Sequence, residues 1–257
     1  MSEPAIFRLL VLVELALALV TGGAVSRIVA PYGRHTRPGF GPGLPVRWAW
    51  VVMESPSALG FAVVFALGLH AVEPAPLVLA ALWLVHYVQR ALIYPFTTRV
   101  DRSRRMPVVL VAMGFAFNAM NAYLNARWLS RFAEYPPGWL VDPRLLVGVA
   151  MFVAGFATNR WADAVLRRLR QPGEIGYRIP RGGLYEFISC PNYAGELLEW
   201  IGWAIAAWSP AGAAFAVYTA ANLVPRALAH HHWYRETFPA YPAQRKAIRG
   251  KLSRSAR

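Results

Sequence analysis

Long apolar runs recur along the whole chain, and nothing constrains its fold more tightly. About 20 consecutive apolar residues cross the ~30 Å hydrocarbon core of a bilayer as a helix. Such runs can be placed near residues 5–27, 48–70, 76–98, 107–130, 143–166, 193–208 and 211–234. In lipid only helices and closed barrels satisfy their backbone hydrogen bonds. The expected fold class is therefore an all-α integral membrane protein with seven transmembrane helices, a single domain over residues 1–257. Composition agrees: 56% of the 257 residues are hydrophobic and only 16% charged, against about 25% charged in soluble domains. The sixth run, "AGELLEWIGWAIAAW", is short and holds two glutamates, so hydropathy alone also allows an interfacial helix.

The formal net charge is +14. The basic residues sit between apolar runs and form no continuous face, which excludes nucleic acid as the expected partner and leaves the lipid bilayer. Their distribution sets an orientation. The connections holding Arg34, Arg37 and Arg47, then Arg99, Arg102, Arg104 and Arg105, then Arg167, Arg168, Arg170, Arg178 and Arg181 are basic, as is the tail. The connections "AVEPAP" and "SPAG" hold no basic residue, and the fourth, around "RFAEYPPGWLVDPR", is mixed. Positive-inside logic puts the N-terminus outside and the C-terminus in the cytoplasm. "MSEPAIFRLL" carries Glu3 and no early basic cluster, so a cleaved leader is not expected. One cysteine, Cys190, excludes an intramolecular disulfide. No internal repeat supports an inverted-repeat transporter.

Several polar residues interrupt the apolar runs. "RWAWVVMESPSALGF" puts Glu54 and Pro56 inside the second. A charge at the centre of a span costs at least ~2.5 kcal/mol, so such groups usually face a cavity. Tyr87, in "LVHYVQR", falls at a similar depth on the third. The two groups can converge on one ligand. An ion pair for Glu54 and an interface role for Tyr87 are the plainer readings. The fourth run carries Asn118, Asn121 and Asn125 as one polar stripe, which interhelical hydrogen bonding also explains. Asn159 and Asp163 share a face of the fifth. Arg226, His230 and Tyr234 recur every four residues on the seventh. Consecutive histidines 230–232 point in different directions and no HExxH or cysteine cluster accompanies them, so no metal is expected.

The connection "RRLRQPGEIGYRIPRGGLYEFISCPNYAGELLEW" is too patterned for a linker. Its arginines suit phosphates, because the guanidinium fork makes paired charge-assisted bonds. No GxxxxGK and no strand-bounded GxGxxG is present. A phosphate-bearing cofactor would be held without a Rossmann fold.

"RQPGEIGYRIPRGGLYEFISCPNYAGELLEWIGWAIAAWS" closely resembles the C-terminal half of the steroid 5α-reductases, the 3-oxo-5α-steroid 4-dehydrogenases. The likeness runs on through "AEYPPGW", "HHHWYRETFPAYPAQRKA", "YGRHT" and "HYVQRALIYPF", and covers nearly the whole chain. "CPNYAGE" is also similar to a pattern of related membrane sterol reductases. The resemblance implies a seven-helix membrane enzyme that uses NADPH to reduce the C4–C5 double bond of 3-oxo-Δ4-steroids. It implies that Glu54 and Tyr87 bind the substrate's 3-keto oxygen. It implies cofactor contacts from Asn121, Asn159, Asp163, Arg170, Arg178, Asn192, Glu196, Arg226, His230 and Tyr234, with Tyr32 near the nicotinamide. On this reading residues 1–106 mainly hold substrate and 107–257 mainly hold cofactor. The arginine-rich composition suits a bacterial homologue, in the inner membrane with its cofactor site facing the cytoplasm. Two departures stand out. "MESPS" replaces a variant of Glu-Leu-Pro, and a longer third loop leaves the register of Arg102 and Arg104 open.

Hydride attack at C5 of an enone drives negative charge onto the 3-oxygen. Donors aimed there stabilise the enolate. Tyr87 is one; Glu54 is a second only when protonated. Two rivals are an isoprenylcysteine-type membrane methyltransferase, which would have no need of Glu54 and Tyr87, and a non-catalytic sterol or lipid binder.

Overall fold

The computed structural model describes residues 1–27, 39–98, 104–169 and 176–248. Among these residues the main elements are seven helical rods: α1 (Glu3–Arg27), α2 (Val46–Ala66), α3 (Pro74–Thr97), α4 (Val108–Phe132), α5 (Pro143–Arg168), α6 (Pro191–Ala207) and α7 (Pro210–Thr237). They coincide closely with the seven apolar runs. Helices α1 to α5 are long and apolar enough to cross a membrane by length and composition. Helix α6 has only 17 residues, and α7 carries Arg226, His230, His231, His232 and Arg235 in its second half. Large apolar side chains stand exposed on every rod, among them Leu12, Val63, Val85, Met113, Val153, Ile201 and Val217. Lipid suits such a surface better than water does.

The chain punctuates its own helices. Proline opens α3, α5, α6 and α7, where a missing N–H costs nothing. Asp142 caps α5 by accepting the Arg144 backbone N–H at 2.8 Å, and Ser209 caps α7 by accepting that of Gly212 at 2.7 Å. A short antiparallel ribbon pairs β1 (Gly43–Pro45) with β2 (Arg105–Pro107), Leu44 opposite Met106. Because α2 and α4 begin directly after these strands, the ribbon sets their first turns side by side.

Three of the rods widen for five residues into π-helix, at Pro56–Gly60 in α2, Gln89–Ile93 in α3 and Trp128–Phe132 in α4. Pro56 explains the first, since it has no N–H to continue the α ladder. The Phe61 N–H reaches back to the Pro56 carbonyl. The Ser57 carbonyl instead accepts the indole N–H of Trp83 at 2.7 Å. Trp83 then anchors an aromatic core, with ring centroids 4.9 Å from Phe61, 5.3 Å from Trp200 and 5.2 Å from Trp203.

The tightest packing joins α5 to α6. A Cβ on Gly155 would lie 2.4 Å from the Glu199 nitrogen and 2.5 Å from the Gly195 oxygen. One on Gly148 would lie 2.4 Å from the Ala206 nitrogen, and ones on Gly195 and Gly202 would meet the backbone of α5 within 2.7 Å. Glycines seven apart on each antiparallel rod thus let backbone touch backbone, the small-residue packing of membrane helices. We predict that Gly155→Val destabilises the protein by more than about 3 kcal/mol, beyond ordinary overpacking. Thermal unfolding in detergent should show a large fall in Tm, while Gly176→Ala, with nothing within 4 Å of its Cβ position, should leave Tm unchanged.

Candidate active site

A cavity of about 820 Å³ opens among α2 to α7, with Leu17 and Thr21 of α1 at its edge. That is within the size range of small-molecule sites. Its lining includes Glu54, Tyr87, Asn159, Asp163, Arg178, Asn192, Glu196, Arg226, His230 and Tyr234. Ten of the residues singled out in the sequence therefore line one cavity, and both parts of the chain contribute to it. Asn121 does not join them. It is fully buried, and its side-chain oxygen accepts from Asn125 at 2.7 Å. Tyr32 and Arg170 lie outside the described residues, as does Arg102; Arg104 lines the cavity and reaches the Tyr177 hydroxyl at 3.4 Å.

One stretch of wall is mostly apolar and aromatic: Trp50, Met53, Met113, Phe117, Trp200 and Phe215. Glu54 projects here from the last turn before the α2 π segment, and Tyr87 from the last turn before that of α3. π-bulges are frequent at functional sites because they re-aim the side chains around them. Glu54 and Tyr87 are both buried. The Asn118 amide donates 2.8 Å to the Met53 carbonyl and 3.3 Å to Glu54 Oε2. One oxygen of Glu54 is thereby engaged as an acceptor, which leaves Oε1 for another partner. Tyr87 is wedged between rings, 4.8 Å from Trp83 and 5.6 Å from Trp200. Arg90, one turn on, lies 4.8 Å over both Trp50 and Tyr94.

The other stretch is polar and comes from three helices at a spacing of four. Asn159 of α5 donates to the Asn192 carbonyl at 3.0 Å and to Glu196 Oε2 at 3.3 Å. Asn192 of α6 donates to Asp163 Oδ1 at 3.5 Å. The other oxygen of Asp163 is buried, makes no hydrogen bond among the described residues and lies 3.7 Å from Arg160. On α7, Arg226, His230 and Tyr234 face the cavity, with His230 Nε2 3.2 Å from the Tyr193 hydroxyl. The three histidines do point three ways: His231 meets Ser189 at 2.6 Å and His232 meets Glu236 at 3.0 Å. Among the described residues no group of three or more His, Cys, Asp or Glu could hold a metal.

The segment that carries Arg178 is held from behind. Arg245, its side chain buried, donates to the Pro180 carbonyl at 2.8 Å and to Glu186 Oε2 at 3.0 Å. The Gly182 backbone N–H, and then Arg245, hold the Glu186 carboxyl below its ordinary range. The backbone of Ser189 and Cys190 bonds to that of Lys246 and Ala247.

Sequence reasoning passed over Arg90, His86 and Glu199. His86 Nδ1 and Glu199 Oε1 are 2.6 Å apart, both buried. The two residues are 113 positions apart, so no local spacing pairs them. The only signal was the presence of ionisable groups in apolar helices, "HYVQR" and "AGELLEW".

Such a bundle of apolar helices, closed around a cavity with one aromatic wall and one polar, arginine-bearing wall, fits the class of all-α membrane proteins. The family profile described as 3-oxo-5-alpha-steroid 4-dehydrogenase matches residues 104–249. The chain is 44% identical over 255 residues to 3-oxo-5-alpha-steroid 4-dehydrogenase 1 of Bos taurus, covering 96% of this chain and 97% of the relative. It is 42% identical to a steroid 5-alpha-reductase of Gossypium hirsutum, over 96% and 97% of the two chains. It is 44% identical to 3-oxo-5-alpha-steroid 4-dehydrogenase 1 of Homo sapiens, over 84% of each. The chain belongs to the 3-oxo-5-alpha-steroid 4-dehydrogenase family. These relatives do not favour a methyltransferase or a non-catalytic binder.

Asn118 is the local support of this site. We predict that Asn118→Leu, which leaves the Met53 carbonyl and Glu54 Oε2 without their donor, lowers stability by about 1–3 kcal/mol. Chemical or thermal unfolding in detergent would check it; unchanged stability would mean that Asn118 does not carry Glu54.

Proposed function

We propose that the protein is an integral membrane, NADPH-dependent reductase of the C4–C5 double bond of 3-oxo-Δ4-steroids, yielding 5α products. The observation that carries this reading is the convergence of Glu54 and Tyr87 on an aromatic cavity wall that runs on into the polar wall of α5, α6 and α7. Family membership supports the reaction class. All seven rods are proposed to cross the bilayer, with the C-terminus and the polar wall toward the cytoplasm, as the basic connections favour.

The polar wall fits a phosphorylated dinucleotide by its donor set. Arg178 and Arg226, with Arg104, are suited to phosphate oxygens. Asp163, with a carboxylate oxygen still unbonded, and Glu196 are suited to ribose hydroxyls. Asn159, Asn192, His230 and Tyr234 complete the wall, and Tyr32 and Arg170 are proposed to join them. Residues 107–257 supply most of this part. When bound, a reduced nicotinamide supplies the hydride.

The chain's own residues do the rest. Trp50, Met53, Phe117 and Phe215 accept a flat apolar ring system and keep water out. The Tyr87 hydroxyl donates to the substrate's 3-oxygen, and Glu54, when protonated on Oε1, donates beside it. As C5 gains a hydride, charge builds on that oxygen, and both bonds strengthen. A donor so placed typically contributes ~100–1,000-fold in rate.

Purified protein should consume NADPH, read at the nicotinamide absorbance, when given testosterone or progesterone. Glu54→Ala and Tyr87→Phe should each cut turnover ~100-fold or more while NADPH still binds, with Glu54→Gln less impaired. A folded, cofactor-competent Glu54→Ala with full turnover would refute its role. Arg178→Ala should raise the KM for NADPH well before it affects that for steroid. Equal NADPH affinity in variant and parent would remove Arg178 from the phosphate site.

A further inference from the structure

Reduction of a carbon–carbon double bond needs a proton as well as a hydride, and the site as described so far commits no group to that proton. Tyr87 and Glu54 are engaged at the oxygen. Arg90 also faces the cavity, yet a guanidinium does not give up its proton in a protein. The buried pair of His86 and Glu199 has no part in the chemistry described above.

This pair is built as a unit. Glu199 is fully buried on α6, where its backbone nitrogen abuts Gly155 of α5. His86 borders the cavity from α3. Its ring packs 4.6 Å from Trp200, 4.9 Å from Tyr87 and 6.3 Å from Phe156, so the contact is dry on most sides. With Nδ1 2.6 Å from Glu199 Oε1, only Nε2 remains for other partners. A carboxyl group on one ring nitrogen orients the imidazole and leaves the other nitrogen for the cavity. Glu199 Oε2 makes no hydrogen bond among the described residues, so the hydrogen bonding of this carboxyl is with His86. Glu54 of α2, Tyr87 and Arg90 of α3 and Glu196 of α6 are the other ionisable groups that act on the pair; from α5 it meets the apolar ring of Phe156.

We propose that His86 is a catalytic residue that delivers a proton from Nε2 to C4 of the substrate, and that Glu199 is its positioning residue. The proposal rests on the enone-reductase reading above. C4 is bonded to the carbon whose oxygen Tyr87 holds, and His86 is the neighbour of Tyr87 in the chain and on the wall. The step balances. C5 accepts a hydride with its electron pair, the C4–C5 π pair moves into C3–C4, and the carbonyl π pair moves onto oxygen. The oxygen then re-forms the carbonyl. The C3–C4 π pair takes a proton from His86, the N–H bond breaks, and neutral imidazole remains beside the Glu199 carboxylate until solvent returns a proton.

The test uses the full chain in detergent or nanodiscs, with testosterone and NADPH. Two isotope effects on kcat are measured, one from D₂O and one from NADPH deuterated at the transferred position. His86→Gln should lower kcat ~100-fold or more, the usual contribution of a general acid. The D₂O effect should grow and the cofactor effect shrink, because protonation becomes the slow step. Glu199→Gln should move both effects the same way with a smaller loss of rate. A merely structural pair would reduce the amount of NADPH-binding protein and leave both isotope effects as in the parent. Unchanged isotope effects, or parental kcat, in a folded His86→Gln overturn the proposal. Should that variant fail to bind NADPH, Glu199→Gln decides on the same two measurements. A parent that reduces no 3-oxo-Δ4-steroid overturns the enone-reductase reading and this inference with it; a working parent whose variants keep its isotope effects overturns this inference alone.

Discussion

The close approach of α5 and α6 underlies everything the cavity does. In lipid there is little hydrophobic gain from bringing two helices together, so intimate packing has to hold them. Four glycines, two on each rod, remove the side chains that would keep the backbones apart. The consequence reaches the polar wall directly. Asn159 and Asp163 follow Gly155 by one and two turns, and Asn192 and Glu196 flank Gly195, so touching backbones put the two polar sets within hydrogen-bond reach. The same contact fixes Glu199 and Trp200, which α6 presents to α3.

The second constraint is the disrupted ladder of α2. A glutamate followed two residues later by proline looks like a fault in a membrane helix. In the fold it is a means of aiming. The widened turn leaves the Ser57 carbonyl to accept from Trp83, which locks α2 to α3 just below Tyr87. Glu54 and Tyr87 each stand two residues before a π segment, in helices that run in opposite directions. Two local distortions, rather than a long loop, thus bring the two groups to one wall.

Much of this was legible beforehand because its causes are local. Apolar runs of membrane length mark the rods, prolines and caps mark their starts, and four-residue spacing marks Asn159 with Asp163 and Arg226 with His230 and Tyr234. What could not be read depends on distance. The asparagine stripe of α4 looks uniform in sequence, yet Asn118 turns to Glu54 while Asn121 and Asn125 bond each other and Trp203. Spacing of three and four puts all three on one flank; only the neighbouring helices decide which of them reaches the cavity. His86 and Glu199 were invisible for the same reason, since a pair formed across 113 residues leaves no periodic trace. Glycines seven apart on α5 and α6 were visible as letters, but their meaning required knowing that the two rods are neighbours.

The backbone clasp between residues 187–190 and 246–247 has a consequence for how the molecule comes into being. All seven rods precede residue 246 in the chain, so each is made before the clasp can form. The segment bearing Arg178, Ser189 and Cys190 gains its backing only when Arg245, Lys246 and Ala247 fold back beneath it. Synthesis therefore separates two events in time: the seven rods are made first, and the backing of this stretch of cavity wall follows only once residues 245–247 exist. A chain cut short before Arg245 would keep all seven rods and leave the segment of Arg178 without its backing.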